Sequence, residues 1–185
     1  MISDEDLMMR YVAGDIKAFE MLYLKHKGPL YRYFIRQCKD SYKAEELYQD
    51  VWHKVIKAKG NYQNSAKFTT WVYHIAHNLL IDEYRRFTLV SYDINDMDEL
   101  DSGSYNNFAD KLAEQDVIKQ LKVCIKALPG VQLEAFILKQ EAGFDLLEIS
   151  NIVNCDKETI KSRIRYAYSK LKICIKSKFK GSVYE

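Results

Sequence analysis

The sequence predicts an all-α protein, built as two small helical domains joined by a flexible acidic linker. Three observations carry that reading. The 185 residues include only seven Gly and two Pro, too few breakers for a chain of many short strands. Apolar residues recur three and four apart along most of the chain, and few runs alternate with the period of two that a strand needs. Charge is unevenly spread. Residues 1–86 carry 14 basic and 11 acidic side chains, 87–113 carry one and six, and 114–185 carry 13 and nine. The formal net charge of +2 therefore hides two basic blocks separated by an acidic strip. We read the domains as 1–87 and 112–185, with the linker at 88–111.

The elements follow in chain order. Ser3 followed by Asp6 marks a helix start, and Leu7, Met8, Tyr11 and Val12 give it an apolar stripe. Gly14 breaks it, and Asp15 is the next N-cap. Phe19, Leu22 and Tyr23 line a second helix expected to end near Lys27-Gly28. Pro29 suits the first turn of a third, through Leu30, Tyr33, Phe34 and Cys38. After Asp40-Ser41 a fourth helix runs from about Lys43 to Lys57, with Leu47, Val51, Val55 and Tyr48 inward. A loop, Gly60 to Ser65, leads into a fifth, so the first domain holds five helices.

The fifth helix, FTTWVYHIAHNLLIDEYRR from Phe68 to Arg86, is the most informative segment. Phe68, Trp71, Val72, Ile75, Ala76 and Leu79 fall on one side. Thr70, His74, His77, Asn78, Ile81 and Arg85 fall on an arc roughly 100° wide opposite. That arc lacks the long acids and lysines of a solvated face. Its imidazole, amide and guanidinium groups suit base edges and phosphates; a solvent-facing helix is the plain alternative. His74-x-x-His77 supplies only two ligands, with no Cys or acid at a paired spacing, so no metal site is expected.

Residues 88–110 contain no Lys or Arg and are rich in acids, Ser and Asn. A linker of this length spans up to roughly 75–80 Å when extended. Helical spacing resumes near Lys111, with Leu112, Val117, Leu121, Cys124, Ile125 and Leu128, and stops at Pro129-Gly130. A short helix from Leu133 to Gln140, a turn at Gly143, a helix from Leu146, a tight Asn154-Cys155-Asp156 and a long basic helix from Lys157 complete the chain. Two helices joined by so short a turn, the second rich in Lys, Arg, Ser and Thr, form a helix-turn-helix pattern. A generic helical hairpin would also fit.

No apolar run of about 18 residues is present, so no transmembrane helix or membrane insertion is expected. The acidic N-terminus lacks the basic and apolar zones of a signal peptide, which predicts a cytoplasmic protein. Cys38, Cys124, Cys155 and Cys174 show no metal spacing; reduced thiols are the expectation for that compartment.

Together these blocks resemble the bacterial sigma-70 family, most closely its small extracytoplasmic-function group. GDIKAFEMLYLKH is similar to that group's opening helices, AEELYQDVW to its polymerase-docking helix, and FTTWVYHIAHNLLIDEYRR to its promoter-melting, −10-reading helix. The stretch LPGVQLEAFILKQEAGFDLLEISNIVNCDKETIKSRIRYAYSKLK is similar to region 4, the −35 reader.

The resemblance implies an alternative sigma factor rather than an enzyme, with no cofactor. Its partners would be core RNA polymerase (the β′ clamp helices and the β flap), promoter DNA and an anti-sigma factor. It assigns polymerase docking to Glu46, Gln49, Asp50 and Trp52. It assigns −10 contacts to Tyr62, Asn64, Ser65, Lys67, Trp71, His74, Asn78, Arg85 and Arg86. The −35 contacts fall to Lys157, Glu158, Thr159, Lys161, Ser162, Arg163 and Arg165. The acidic linker would thread toward the RNA exit path or serve as a plain tether.

Departures from the family pattern are specific. Asn64 and Asn154 stand where Gly is frequent, and Asn is the best non-Gly residue for left-handed backbone. Ser65 replaces a frequent acid, Val72 stands where primary sigma factors have a second Trp, and Tyr166 and Tyr168 stand where Arg is common. Two competing readings are a stand-alone helix-turn-helix regulator, which would not need the docking helix, and a small nuclease using His74, His77 and Asp82.

Overall fold

Capping chemistry sets the first helices. Ser3 accepts the N–H of Asp6 at 3.0 Å and starts α1 (Asp4–Val12), whose first turn carries Asp4, Glu5 and Asp6 against the positive end of the helix dipole. Gly14, at φ +105°, makes the turn that a side chain would strain. Asp15 then accepts the N–H groups of Lys17 and Ala18 and starts α2 (Ile16–Gln37). Asp40 caps α3 (Ser41–Ala58), a single 3₁₀ turn follows at Lys59–Asn61, and α4 spans Phe68–Ser91. The second group comprises α5 (Leu112–Lys126), α6 (Gly130–Gln140), α7 (Leu146–Val153) and α8 (Lys157–Phe179). This computed structural model describes residues 2–38, 40–63, 66–91 and 112–179, without the side chains of 87–91, 112–116 and 179.

Among the described residues every regular element is helical, as the composition predicts. The expected helix break at Lys27-Gly28 is absent. The second and third helices of the sequence reading are one helix, with Pro29 inside it. Proline removes a backbone donor, so the Lys25 carbonyl loses its intrahelical partner. The helix continues because Leu22 and His26 before the proline, and Leu30, Tyr33 and Phe34 after it, are buried in the same core. Helix α4 also runs to Ser91, past the boundary read at 87; residues 92–111 of the linker lie outside the described residues.

Helices α1–α4 pack as one bundle and α5–α8 as another. Phe34, Phe68, Leu22, Leu30 and Met8 fill the first core, and Ile137, Leu138, Ile149, Ile152, Ile160 and Ala167 the second. Truncating Phe34 or Phe68 to Ala would cost about 3–5 kcal/mol. The bundles also pack on each other, α4 against α7 and α2 against α6.

The thiol expectation fails for one pair. Cys124 of α5 and Cys174 of α8 form a disulfide, while Cys38 and Cys155 are free. The two helices lie side by side and bring residues 50 apart in sequence to a Cα separation of 5.8 Å, within reach of a bridge.

Candidate nucleic-acid interface

The loop before α4 is built around Tyr62. Its ring is buried edge-on against Trp71 at 5.2 Å, and its hydroxyl donates to the Ala66 carbonyl at 2.8 Å. Burial pushes its pKa up to about 12, so the phenol stays a neutral donor. Trp71 is half-buried and also packs on Phe68. Asn64 and Ser65 lie outside the described residues.

Along α4, Asn78, Arg85 and Arg86 are exposed. Among the described residues the two arginines face Asp82 at 3.9 Å and Glu83 at 3.7 Å, distances that leave both guanidinium groups available to phosphate. His74 and His77 of the same arc are half-buried against the second bundle. His74 Nδ1 meets the carbonyl of Ile152 in the last turn of α7 at 2.8 Å; because a carbonyl can only accept, Nδ1 carries the proton. His77 Nδ1 lies 2.7 Å from Glu134 Oε1 on α6, and Tyr33 donates its hydroxyl to the same oxygen at 2.6 Å. Lys67 pairs with Glu148 of α7 at 2.7 Å. Sequence reasoning missed Tyr33, Glu134 and Glu148. Only the inter-bundle packing gives them roles, and no local pattern marks it.

In the helix-turn-helix, Asn154 adopts φ 50°, ψ 49°, the left-handed cap that its identity predicts. Asp145 and Glu148 form a reciprocal capping box at the start of α7. Asp156 accepts from the N–H and hydroxyl of Thr159 at 2.8 and 2.6 Å. These bonds lower the Asp156 pKa, the Thr159 side chain contributing most. Thr159 is therefore engaged in starting α8. Lys157, Glu158, Lys161 and Arg165 are exposed, with Ser162 and Arg163 half-buried. Lys161 holds Glu158 at 3.3 Å, and Arg165 lies 5.2 Å over the Tyr166 ring. Ile160, Ala167 and Leu171 face the core as the spacing predicts.

On α3, Glu46 and Gln49 are exposed and Asp50 is half-buried. Trp52 corrects the sequence reading. It is buried rather than presented as an open anchor, with its ring edge-on to Phe19 at 5.9 Å and Tyr23 at 5.0 Å. It sits 100° round the helix from Val51, at the seam with α2, where the aromatic side chains of both helices meet. Phe19, Tyr23, Tyr48, Gln49, His53 and Ile56 line an open cleft beside it.

His74 and His77 are each engaged with α6–α7, and Asp82 faces Arg85. No group of three or more His, Cys, Asp or Glu gathers as a metal site among the described residues.

The family model for sigma-70 region 2 matches residues 22–88. The chain is 27% identical over 180 residues to the ECF RNA polymerase sigma factor SigK of Mycobacterium sp. (strain KMS), covering 94% of this chain and 91% of that one. It is 24% identical over 169 residues to the RNA polymerase sigma-H factor of Pseudomonas aeruginosa, covering 87% and 88%. The sigma factor RpoE of Bartonella quintana, solved in complex with the anti-sigma factor NepR, aligns over 86% of this chain and 98% of that chain. Its TM-score is 0.69 at 23% identity, a likeness of fold.

Proposed function

This chain belongs to the extracytoplasmic-function group of the sigma-70 family, and we propose how its surfaces divide the work of an alternative sigma factor. The exposed polar face of α3, with Glu46, Gln49 and Asp50, docks on the β′ clamp helices of core RNA polymerase. Trp52 shapes that face from beneath rather than entering the partner. The Tyr62–Lys67 loop, Trp71 at the start of α4, the α4 arc bearing His74, Asn78 and Arg85, and Arg86 beyond it take the −10 element as its strands part. Extruding a base costs a few kcal/mol, and the aromatic wall of Tyr62 and Trp71 offsets part of it. Lys157, Glu158, Lys161, Ser162, Arg163 and Arg165 on α8 enter the major groove at −35, while Thr159 holds the helix start. The second bundle also meets the β flap. The protein is a non-catalytic initiation factor working in the cytoplasm with the polymerase, and an anti-sigma factor is a further partner.

One observation carries this reading over a stand-alone regulator. The exposed residues assigned to DNA lie on different bundles, on α4 and α8, and those on α4 share their bundle with the exposed polar face of α3. A regulator needs one reading head and no third surface.

Run-off transcription with core polymerase tests it. Specific transcripts are expected only when the chain and core are combined. Tight binding of the chain alone to duplex promoter, with no new start site from core, would return the regulator reading.

A further inference from the structure

Helix α8 turns Glu158, Ser162, Arg165, Tyr166 and Ser169 outward, on the arc opposite the buried Ile160, Ala167 and Leu171. Tyr166 is the odd member of that arc: an aromatic ring, 52% exposed, among small and charged side chains. Its neighbour Tyr168 serves packing, since its ring stands edge-on to Phe136 of α6 at 5.7 Å. The partner of Tyr166 is instead a cation. The Arg165 guanidinium lies over its ring, 5.2 Å from the centroid, within reach of the ring's negative face. Adjacent positions point about 100° apart round a helix, so the Arg165 side chain lies across the helix surface rather than running straight into solvent.

Lys161 gives its ammonium to Glu158 at 3.3 Å, whereas Arg165 makes no ion pair among the described residues. Arg165 therefore keeps its charge and its fork of donors while the ring restricts its stem. That combination matters differently for the two kinds of DNA contact. A phosphate accepts a cation from many directions and fixes only register. A guanine edge accepts arginine through paired hydrogen bonds to O6 and N7, so a guanidinium already held in place loses less freedom on binding. We infer that Tyr166 is a positioning residue for base reading: its ring holds Arg165 so that the guanidinium meets a guanine edge in the −35 element. Tyr166 adds no charge, so it raises selectivity without raising affinity for DNA at large. The inference rests on the reading of α8 as the −35 helix.

The experiment uses the full chain assembled with core polymerase and a pool of duplex promoters randomised through the −10 and −35 elements, with the bound molecules sequenced. The parent should enrich guanine at a −35 position. Arg165→Ala should lose that preference by roughly 5- to 150-fold. Tyr166→Leu removes the ring but keeps an apolar side chain and good helix propensity. It should weaken the same preference about two- to fivefold and leave the other positions alone. Tyr166→Phe should retain it, because the face of the ring acts and the hydroxyl does not. Adding Tyr166→Leu to Arg165→Ala should change the preference no further. The salt dependence of binding to one enriched promoter should be the same for Tyr166→Leu as for the parent, since no phosphate contact is lost.

Full guanine preference in Tyr166→Leu or in Arg165→Ala, or an equal loss in Tyr166→Phe, would overturn the positioning role and leave α8 as the −35 reader. So would a uniform weakening over all sequences with a shallower salt slope. A parent that selects bases at −10 and none at −35 would remove the reading of α8 itself, and the inference with it. Helical circular dichroism should match across the variants. If Tyr166→Leu lost helicity, Tyr166→Met, a second variant without the ring, would decide.

Discussion

Glu5 of α1 caps α4: its carboxylate accepts the backbone N–H of Phe68 at 2.9 Å, across 63 residues of sequence. The first N–H groups of a helix have no partner of their own, and here a distant helix provides one. The loop and helix start that carry Tyr62, Lys67 and Trp71 are thereby fixed to α1. Glu5→Ala should lower the stability of the first bundle by about 1–2 kcal/mol, read from the midpoint of chemical denaturation, with Glu5→Gln losing less. A Glu5→Ala chain as stable as the parent would show that the bond contributes nothing.

His26 should give the first bundle a pH dependence. Burial lowers its pKa from 6.5 and outweighs the attraction of Asp4, 2.9 Å from its Nε2. Between the lowered value and 6.5 the unfolded chain binds the proton and the folded chain does not, so stability rises with pH across that window. The contribution is present above pH 6.5 and is lost as pH falls below it. Thermal unfolding from pH 7.5 to 5 should show the loss, and His26→Gln should flatten it. The same slope in the variant would assign the effect to other groups.

Trp52 and Asp50 should separate folding from docking. Trp52→Ala empties a buried aromatic site and should cost about 3–5 kcal/mol. Asp50→Lys alters a half-buried surface position, should change stability by about 0.5 kcal/mol or less, and should weaken binding to core polymerase. An Asp50→Lys chain that binds core as well as the parent would move the docking face elsewhere.

The disulfide predicts a redox-dependent second bundle. A bridge closing a loop of 50 residues is worth about 4 kcal/mol by the chain-entropy model. Reduction with dithiothreitol should lower the unfolding midpoint of α5–α8, and Cys174→Ser should reproduce the reduced value without responding to the reagent. Equal midpoints in oxidised and reduced samples would mean that the bridge adds no stability.

The sequence is most legible where a local rule acts alone. The 3.6-residue period places Ile160, Ala167 and Leu171 inward on α8, and the turn at Asn154 follows from the one non-glycine residue that accepts left-handed backbone readily. It misleads where tertiary packing overrides a local signal. Pro29 is a strong breaker, yet the core on both sides holds α2 together. Trp52 lies off the Leu47–Val51–Val55 stripe, and only the neighbouring aromatic residues of α2 bury it. Contacts between the bundles were beyond reach, because nothing near His77 indicates an acid 57 residues away. The same holds for Cys124 and Cys174, whose spacing fits no local motif.

The unbroken α2 has a mechanical consequence. At 22 residues it is about 33 Å long. Phe19 and Tyr23 stand against Trp52 near one end, and Tyr33 reaches Glu134 toward the other. Phe19 and Tyr33, 14 positions apart, lie about 21 Å from each other along its axis. The helix is a lever with both arms loaded, and Pro29, where the Lys25 carbonyl lacks its usual donor, is its natural point of flexure. A tilt imposed at the aromatic arm reaches the Tyr33 hydroxyl as a displacement of the whole rod, without any relay of side chains in between.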